Sequence, residues 1–176
     1  MKKVIVFGAS NSKKSINKQF ATYAASLLSN VEIEVLDLND FDLPIYNIDI
    51  ETEQGIHPEA YRFQQTISNA DALIISLAEH NGSYSAVFKN IYDWASRVHQ
   101  KVWAHKPTLL LATSPGARGG ATVLETAKNS FPYFGAQIVG SLALPSFYEN
   151  FTDGTLHSAF KIQLSDQVAQ LQNALN

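Results

Sequence analysis

Apolar residues along this chain follow two alternating rhythms. Residues 4–7 (VIVF) are continuously apolar, as a central strand covered on both faces requires. From Ser15 the spacing changes: Ile16, Phe20, Tyr23, Leu27 and Leu28 share one face of a helix. Residues 31–38 (VEIEVLDL) alternate like a strand with one more polar face, and 71–77 and 107–112 are further strands. Pro58 sits in the first turn of a helix expected over 58–69. Over 85–98 the stripe Val87, Ile91, Trp94 or Ala95, and Val98 predicts a helix capped by Ser85. A helix over 121–131, a fifth strand over 137–144 and a last helix bearing Phe160, Leu164, Val168, Leu171 and Leu175 complete the pattern. Residues 39–57, with Pro44 and Gly55, lack clear periodicity and read as a long excursion.

Five strands alternating with helices predict an α/β fold, a doubly wound parallel sheet with right-handed crossovers. Ligands of such sheets bind beyond the carboxyl ends of the strands, near the switch in strand order. The loops after strands one, three and four therefore carry the candidate chemistry: ASNSKKSIN, AEHNGSYS and TSPGARGG.

Composition narrows the choices. A length of 176 residues fits one domain, 1–176, and 45% hydrophobic with 16% charged residues fits a globular chain. The net charge of −3 offers no basic face, so nucleic acid is not an expected partner. Without cysteine there is no disulfide, thiolate metal site or Cys nucleophile, and any redox chemistry must reside on a cofactor. The first apolar run is too short for a signal peptide, and none is long enough to cross a bilayer, so a cytoplasmic protein with no membrane partner is expected. The five histidines show no metal-ligand spacing, and no GxSxG elbow is present, so neither a metal site nor an α/β-hydrolase is expected.

The first loop offers Ser10, Asn11, Ser12, Ser15 and Asn17, opening a helix near Ser15, with Lys13 and Lys14 nearby. Helix N–H groups and short hydroxyls suit a phosphate, although a serine-rich turn with an ordinary cap gives the same pattern. Neither GK[ST] nor GxGxxG is present. In the third loop, TSPGARGG, three glycines and a proline within eight residues let backbone approach a flat ligand, or form a flexible turn; Arg118 adds a charge or is solvated. The second loop holds Glu79, His80, Asn81 and Ser83. Asn81-Gly82 is followed by a helix instead of an alternating strand, so it reads as a sharp turn exposing main-chain groups and not as a hairpin. Glu79 and His80 form an acid/base pair or are solvated, and Lys89 and Asp93 are spaced for a surface ion pair.

Together the loops resemble the NADPH-dependent FMN reductase family of flavodoxin-like proteins, which includes quinone, azo-dye and chromate reductases. The stretch ADALIISLAEHNGSYSAVFKNIYDWASR (70–97) is similar to the family's apolar strand, Pro-Glu-Tyr-Asn loop, and Leu-Lys-Asn and Asp-Trp helix; LPIYNID (43–49) and SPGARGG (114–120) also match. Ala78 stands for the usual proline, His80 for tyrosine, Ser85-Ala86 for a common Pro-Gly, and Ser12 for an arginine of the first loop. The resemblance implies a flavodoxin-like three-layer sandwich with strand order 2-1-3-4-5. It assigns Ser10, Ser12, Ser15, Ile16 and Asn17 to the phosphate and ribityl end of FMN. Glu79, His80, Asn81 and Ser83 would edge the isoalloxazine, and Ser114, Pro115, Gly116 and Ala117 would line its pyrimidine side. It implies ping-pong hydride transfer from NADPH or NADH through FMN to a quinone-like or other small oxidised acceptor, with no side chain as obligatory acid or base. A homodimer or homotetramer is also implied, with helix 85–98 as the interface, because Tyr92 and Trp94 cannot both centre on one core stripe. The same fold and cofactor would serve a flavodoxin-type electron carrier, and the loops alone would serve a non-redox nucleotide- or phosphate-binding module.

Overall fold

The computed structural model describes all 176 residues. At its centre lies a parallel sheet of β1 (Lys2–Ala9), β2 (Val31–Val35), β3 (Ala72–Leu77), β4 (Pro107–Thr113) and β5 (Gln137–Leu144), in spatial order β2-β1-β3-β4-β5. Helices α1 (Ile16–Ser26), α2 (Ile48–Gln54), α3 (Pro58–Ser68), α4 (Ala86–Val98), α5 (Ala121–Ser130) and α6 (Ser158–Leu175) connect and follow the strands. This is the flavodoxin-like order. The continuous apolar runs of β1 and β3 have their cause in the two-sided covering. Val4 and Val6 of β1, with Ile74, Leu109 and Leu111, face Phe20, Ala21 and Ala24 of α1 and Leu164, Val168 and Leu171 of α6. Ile5 and Phe7, with Leu73, Ile75 and Leu110, face the residues of α3, α4 and α5 on the opposite side. That second layer is aromatic: Trp103 stacks on Phe131 at 4.5 Å, and Phe88 and Tyr92 complete the cluster.

The in-register pairs Ala9–Leu77 and Leu77–Ala112 bring the carboxyl ends of β1, β3 and β4 to one edge. Every connection that leaves this edge is therefore a neighbour of the others, whatever their separation in sequence.

Three expectations change. The excursion over 39–57 contains a 3₁₀ turn (Leu38–Asp40) and helix α2. No residue of α2 is buried, so IDIETEQ carries no apolar stripe for a sequence pattern to reveal. Asn81-Gly82 does form a hairpin: Glu79 pairs with Tyr84 and His80 with Ser83. Asn81 and Gly82 have φ of 52° and 75°, the left-handed pair of a two-residue turn, and strands of only two residues leave no room for alternation. Finally, Tyr92 and Trp94 are both buried within one chain. Trp94 packs under residues 43–49, donating from Nε1 to Pro44 O at 2.7 Å, so the two aromatics supply no argument for an interface.

The same helix fixes the whole LPIYNID segment. Asn90 accepts from Tyr46 N at 2.8 Å and donates to Pro44 O at 3.0 Å, while Arg97 and Tyr46 both bond Glu51. Lys89 and Asp93 form the expected surface pair at 2.7 Å.

Candidate functional site

At the carboxyl edge of the sheet, the connection after β1 turns back through its own serines. Ser10 Oγ accepts from Ser12 N and Ser12 Oγ from Lys14 N, and Ser15 Oγ caps α1 by accepting from Lys18 N at 3.1 Å. Each of these hydroxyl oxygens accepts a main-chain N–H, so each hydroxyl keeps its own hydrogen to donate. The N–H groups of Ile16 and Asn17 in the first turn of α1 have no acceptor within the chain. A helix start with free N–H groups and three hydroxyl donors is a site for an anion.

The side chain of Asn17 has a different task. It is buried, and its Oδ1 accepts from Ser76 Oγ at 2.8 Å and Thr113 N at 3.0 Å, while Nδ2 donates to Thr113 O at 3.1 Å. One amide thus joins α1 to the ends of β3 and β4, and only the main chain of Asn17 is left for a ligand. Ser85, the cap of α4, donates to Ala9 O at 2.7 Å, and Thr113 Oγ1 donates to Leu144 O at 2.8 Å. The loops are held to one another as well as to their own strands.

Glu79 is part of this bracing. Its Oε2 accepts from Val123 N at 2.9 Å, in the first turn of α5, whose capping residue Gly120 has no side chain to do so. The second loop is thereby tied to the helix that follows the third. Replacing Glu79 by alanine is expected to cost about 1 kcal/mol through the lost cap, and Glu79→Gln to restore most of it. Thermal unfolding of the two variants checks this. A catalytic acid or base would instead lose activity equally in both.

These connections surround a polar cavity of about 210 Å³, lined by Ser10, Ser12, Ser15, Ile16, Asn17, Glu79, His80, Ser114 and Pro115. Of the residues expected to contact a ligand, Asn81, Ser83, Gly116 and Ala117 lie outside this lining. Asn81 is the hairpin tip, and Gly116 accepts from Ser146 N through its carbonyl. Lys14 lines the cavity, while Lys13 lines only a neighbouring groove along α1. Lys18 is engaged by Asp37 at 2.8 Å; that ammonium, helped by Asn39 N–H, holds the Asp37 carboxyl down at about 2. Arg118 bonds Thr122 on α5. Glu79 is the one acid of the lining and is turned to Val123.

Besides Lys14, three lining residues were not among the expected contacts, Ala78, Thr113 and Tyr148, of which only Tyr148 lies outside the three loops. Tyr148 belongs to a helical turn (Phe147–Asn150) after β5. Topology alone supplies the missed signal, because every connection following a parallel strand leaves from the same edge.

The residues present fit a phosphorylated flavin at its polar end. Gly8 is the clearest sign of a shaped cradle: a Cβ there would stand 2.3 Å from Lys18 N, so α1 starts as close to β1 as a chain can come.

Residues 2–149 match the family model described as NADPH-dependent FMN reductase, a stretch that includes all five strands and every residue of the cavity. This chain belongs to the NADPH-dependent FMN reductase family. Among its relatives is a quinone reductase of Pseudomonas putida, 38% identical over 120 residues, 66% of this chain and 62% of that protein. Another is a 2-hydroxy-1,4-benzoquinone reductase of a Burkholderia species, 40% identical over 122 residues, 68% of this chain and 64% of that protein. The match thus spans a little under two thirds of the length of these relatives. Among solved structures, the flavoenzyme NAD(P)H:(acceptor) oxidoreductase FerB from Paracoccus denitrificans superposes with a TM-score of 0.78 at 27% identity, covering 99% of this chain and 97% of that one. Across this FMN reductase family member, no helix is long and apolar enough to cross a membrane.

Proposed function

We propose that this chain is an FMN-dependent NAD(P)H oxidoreductase that reduces quinone-like or other small oxidised acceptors, working as a single FMN-binding domain over residues 1–176. The observation that carries the reading is the polar cavity at the carboxyl edge of β1, β3 and β4, where free α1 N–H groups and serine hydroxyls converge. Family membership and relatives named as quinone reductases support the acceptor class. Bound there, FMN would supply the redox chemistry, hydride transfer from NAD(P)H to the acceptor. The chain's own residues bind and orient. Ser10, Ser12 and Ser15 would donate hydroxyl hydrogens to the phosphate end, and the start of α1 would offset its charge. The hairpin over 79–84 and the loop 114–117, which contribute Glu79, His80, Ser114 and Pro115 to the cavity, would hold the ring. Main-chain groups fixed in advance stabilise charge developing on a bound ring without rearranging.

The cytoplasm is the proposed location, and a homodimer or homotetramer the proposed assembly. Exposed Ile45 and Ile48, held out by the bracing of residues 43–49 on α4, support an apolar contact between copies.

Purified protein is expected to be yellow or to take up added FMN, to bleach anaerobically with NADPH or NADH, and to regain colour on adding a quinone. A colourless protein indifferent to FMN defeats the flavin reading. FMN binding without reduction by either nucleotide makes the chain an electron carrier instead.

A further inference from the structure

We propose that Tyr148 and Lys14 form a latch over the phosphate end of the flavin cavity and make this protein select FMN over riboflavin. The proposal rests on the flavin reading above. Tyr148 comes from the connection after β5 and lines the cavity together with Ser10, Ser12, Lys14 and Ser15.

Its position is fixed by the turn beneath it. Ser146 N donates to Gly116 O at 2.9 Å and Phe147 N to Ser114 O at 3.0 Å, so the turn is bolted to the third loop. Asn150 Nδ2 donates to Pro145 O at 2.9 Å and closes the turn on itself. Phe147 is buried, stacked on Phe151 at 5.0 Å, and anchors the turn from below. Ser146 has φ of 43°, a left-handed conformation that a non-glycine residue adopts only when its surroundings enforce it. The bolted turn keeps the next aromatic, Tyr148, out of the core: it is 66% exposed at the mouth of a polar cavity. Its hydroxyl has no partner within the chain, and a phenol there has an apolar body to cover a ligand and a polar tip to donate to it.

Charge decides what the tip meets. Lys14 is the only cation lining the cavity, since Lys18 is paired with Asp37, Arg118 is bonded to Thr122, and Lys13 lies in the adjoining groove. A phosphate monoester carries between one and two negative charges near neutral pH, and a lone lysine with a tyrosine donor at a helix start matches that group. Riboflavin, with a hydroxyl in place of the phosphate, gains nothing from Lys14.

The test titrates flavin-free protein with FMN and with riboflavin, followed by flavin fluorescence, for the wild type, Tyr148→Phe, Tyr148→Ala and Lys14→Met. Lys14→Met is expected to weaken FMN binding about tenfold and to reduce its salt dependence, leaving riboflavin unchanged. Tyr148→Phe is expected to lose several-fold in FMN affinity alone. Tyr148→Ala should lose more and release FMN faster in stopped flow, for the cover goes with the hydroxyl. Both positions are at the surface, and matching thermal unfolding curves of the flavin-free variants establish that the fold is intact. FMN affinity and release unchanged in both Tyr148 variants overturn the latch and leave the flavin reading standing; a wild type that binds riboflavin as tightly as FMN overturns both the latch and the assignment of the phosphate to the start of α1. A wild type that binds neither flavin overturns the latch and the flavin reading together.

Discussion

Replacing Asn17 by alanine is expected to destabilise the protein by about 3–5 kcal/mol, lowering the unfolding midpoint by roughly 8–15 °C for a chain of this size. The size of the effect follows from what is left behind. Asn17 serves Ser76 Oγ, Thr113 N and Thr113 O, all beneath the edge of the sheet where α1 seals them from solvent. Removing the amide strands three polar groups, and an unsatisfied buried group costs about 1–3 kcal/mol before relaxation. The conservative exchange is instructive. Asn17→Asp keeps both acceptor contacts but sets a carboxylate oxygen against Thr113 O, where Nδ2 now donates. At neutral pH it should be destabilised about as much as the alanine variant. Burial beside a carbonyl raises the folded-state pKa of the new carboxyl above its unfolded value. Protonation restores the donor, so the deficit relative to wild type should shrink as pH falls through that raised pKa and be smallest below the ordinary carboxylate range. Denaturant unfolding of both proteins at matched pH measures it. A deficit independent of pH would remove the amide's donor role.

This residue also marks how far a sequence carries a reader. The central strands were legible because both faces of the sheet are covered there, so Val4–Phe7 and Leu73–Ile75 are apolar without interruption, and the edge strand β2 was legible from its alternation. Helix α4 was legible because its cap, Ser85, and its stripe are both local. Topology then pointed to the loops after β1, β3 and β4, and a polar cavity lies among them. What was not legible is how each polar side chain in those loops is used. Asn17 and Glu79 look like ligand residues because they are polar and sit where ligands bind. Their partners, Thr113 and Val123, lie 96 and 44 residues away, and no local pattern announces them. Tyr148 was missed for the converse reason: an aromatic in LPSFYEN carries no local mark of a site, and it is the turn at Ser146 that leaves it exposed. The hairpin at Asn81-Gly82 was hidden by the shortness of its strands, though the turn residues named it.

The other large effect is expected at Gly8. A Cβ built on Gly8 would stand 2.3 Å from Lys18 N and 2.8 Å from both Asn17 C and Lys18 Cα. All three are main-chain atoms of α1, so no side chain can rotate away, and the helix itself must retreat by about 1 Å to reach ordinary contact distance. That retreat pulls Asn17 from Thr113 and Ser76 and moves the Ile16 and Asn17 N–H groups away from the cavity. Gly8→Ala should therefore lose about 3–5 kcal/mol, through the overpacking and the broken amide bridge together, and the FMN affinity of whatever folds should fall at least tenfold. Gly116→Ala is the control from the same edge. Its nearest atom would be Ser114 Oγ at 3.8 Å, an ordinary contact, so stability should stay within about 0.5 kcal/mol of wild type. Thermal unfolding and FMN titration of the two alanine variants separate a requirement for close approach of α1 to β1 from a general intolerance of added bulk at this edge. Equal losses at both positions would assign the effect to bulk, and a silent Gly8→Ala would mean that α1 can shift without disturbing the phosphate end of the site.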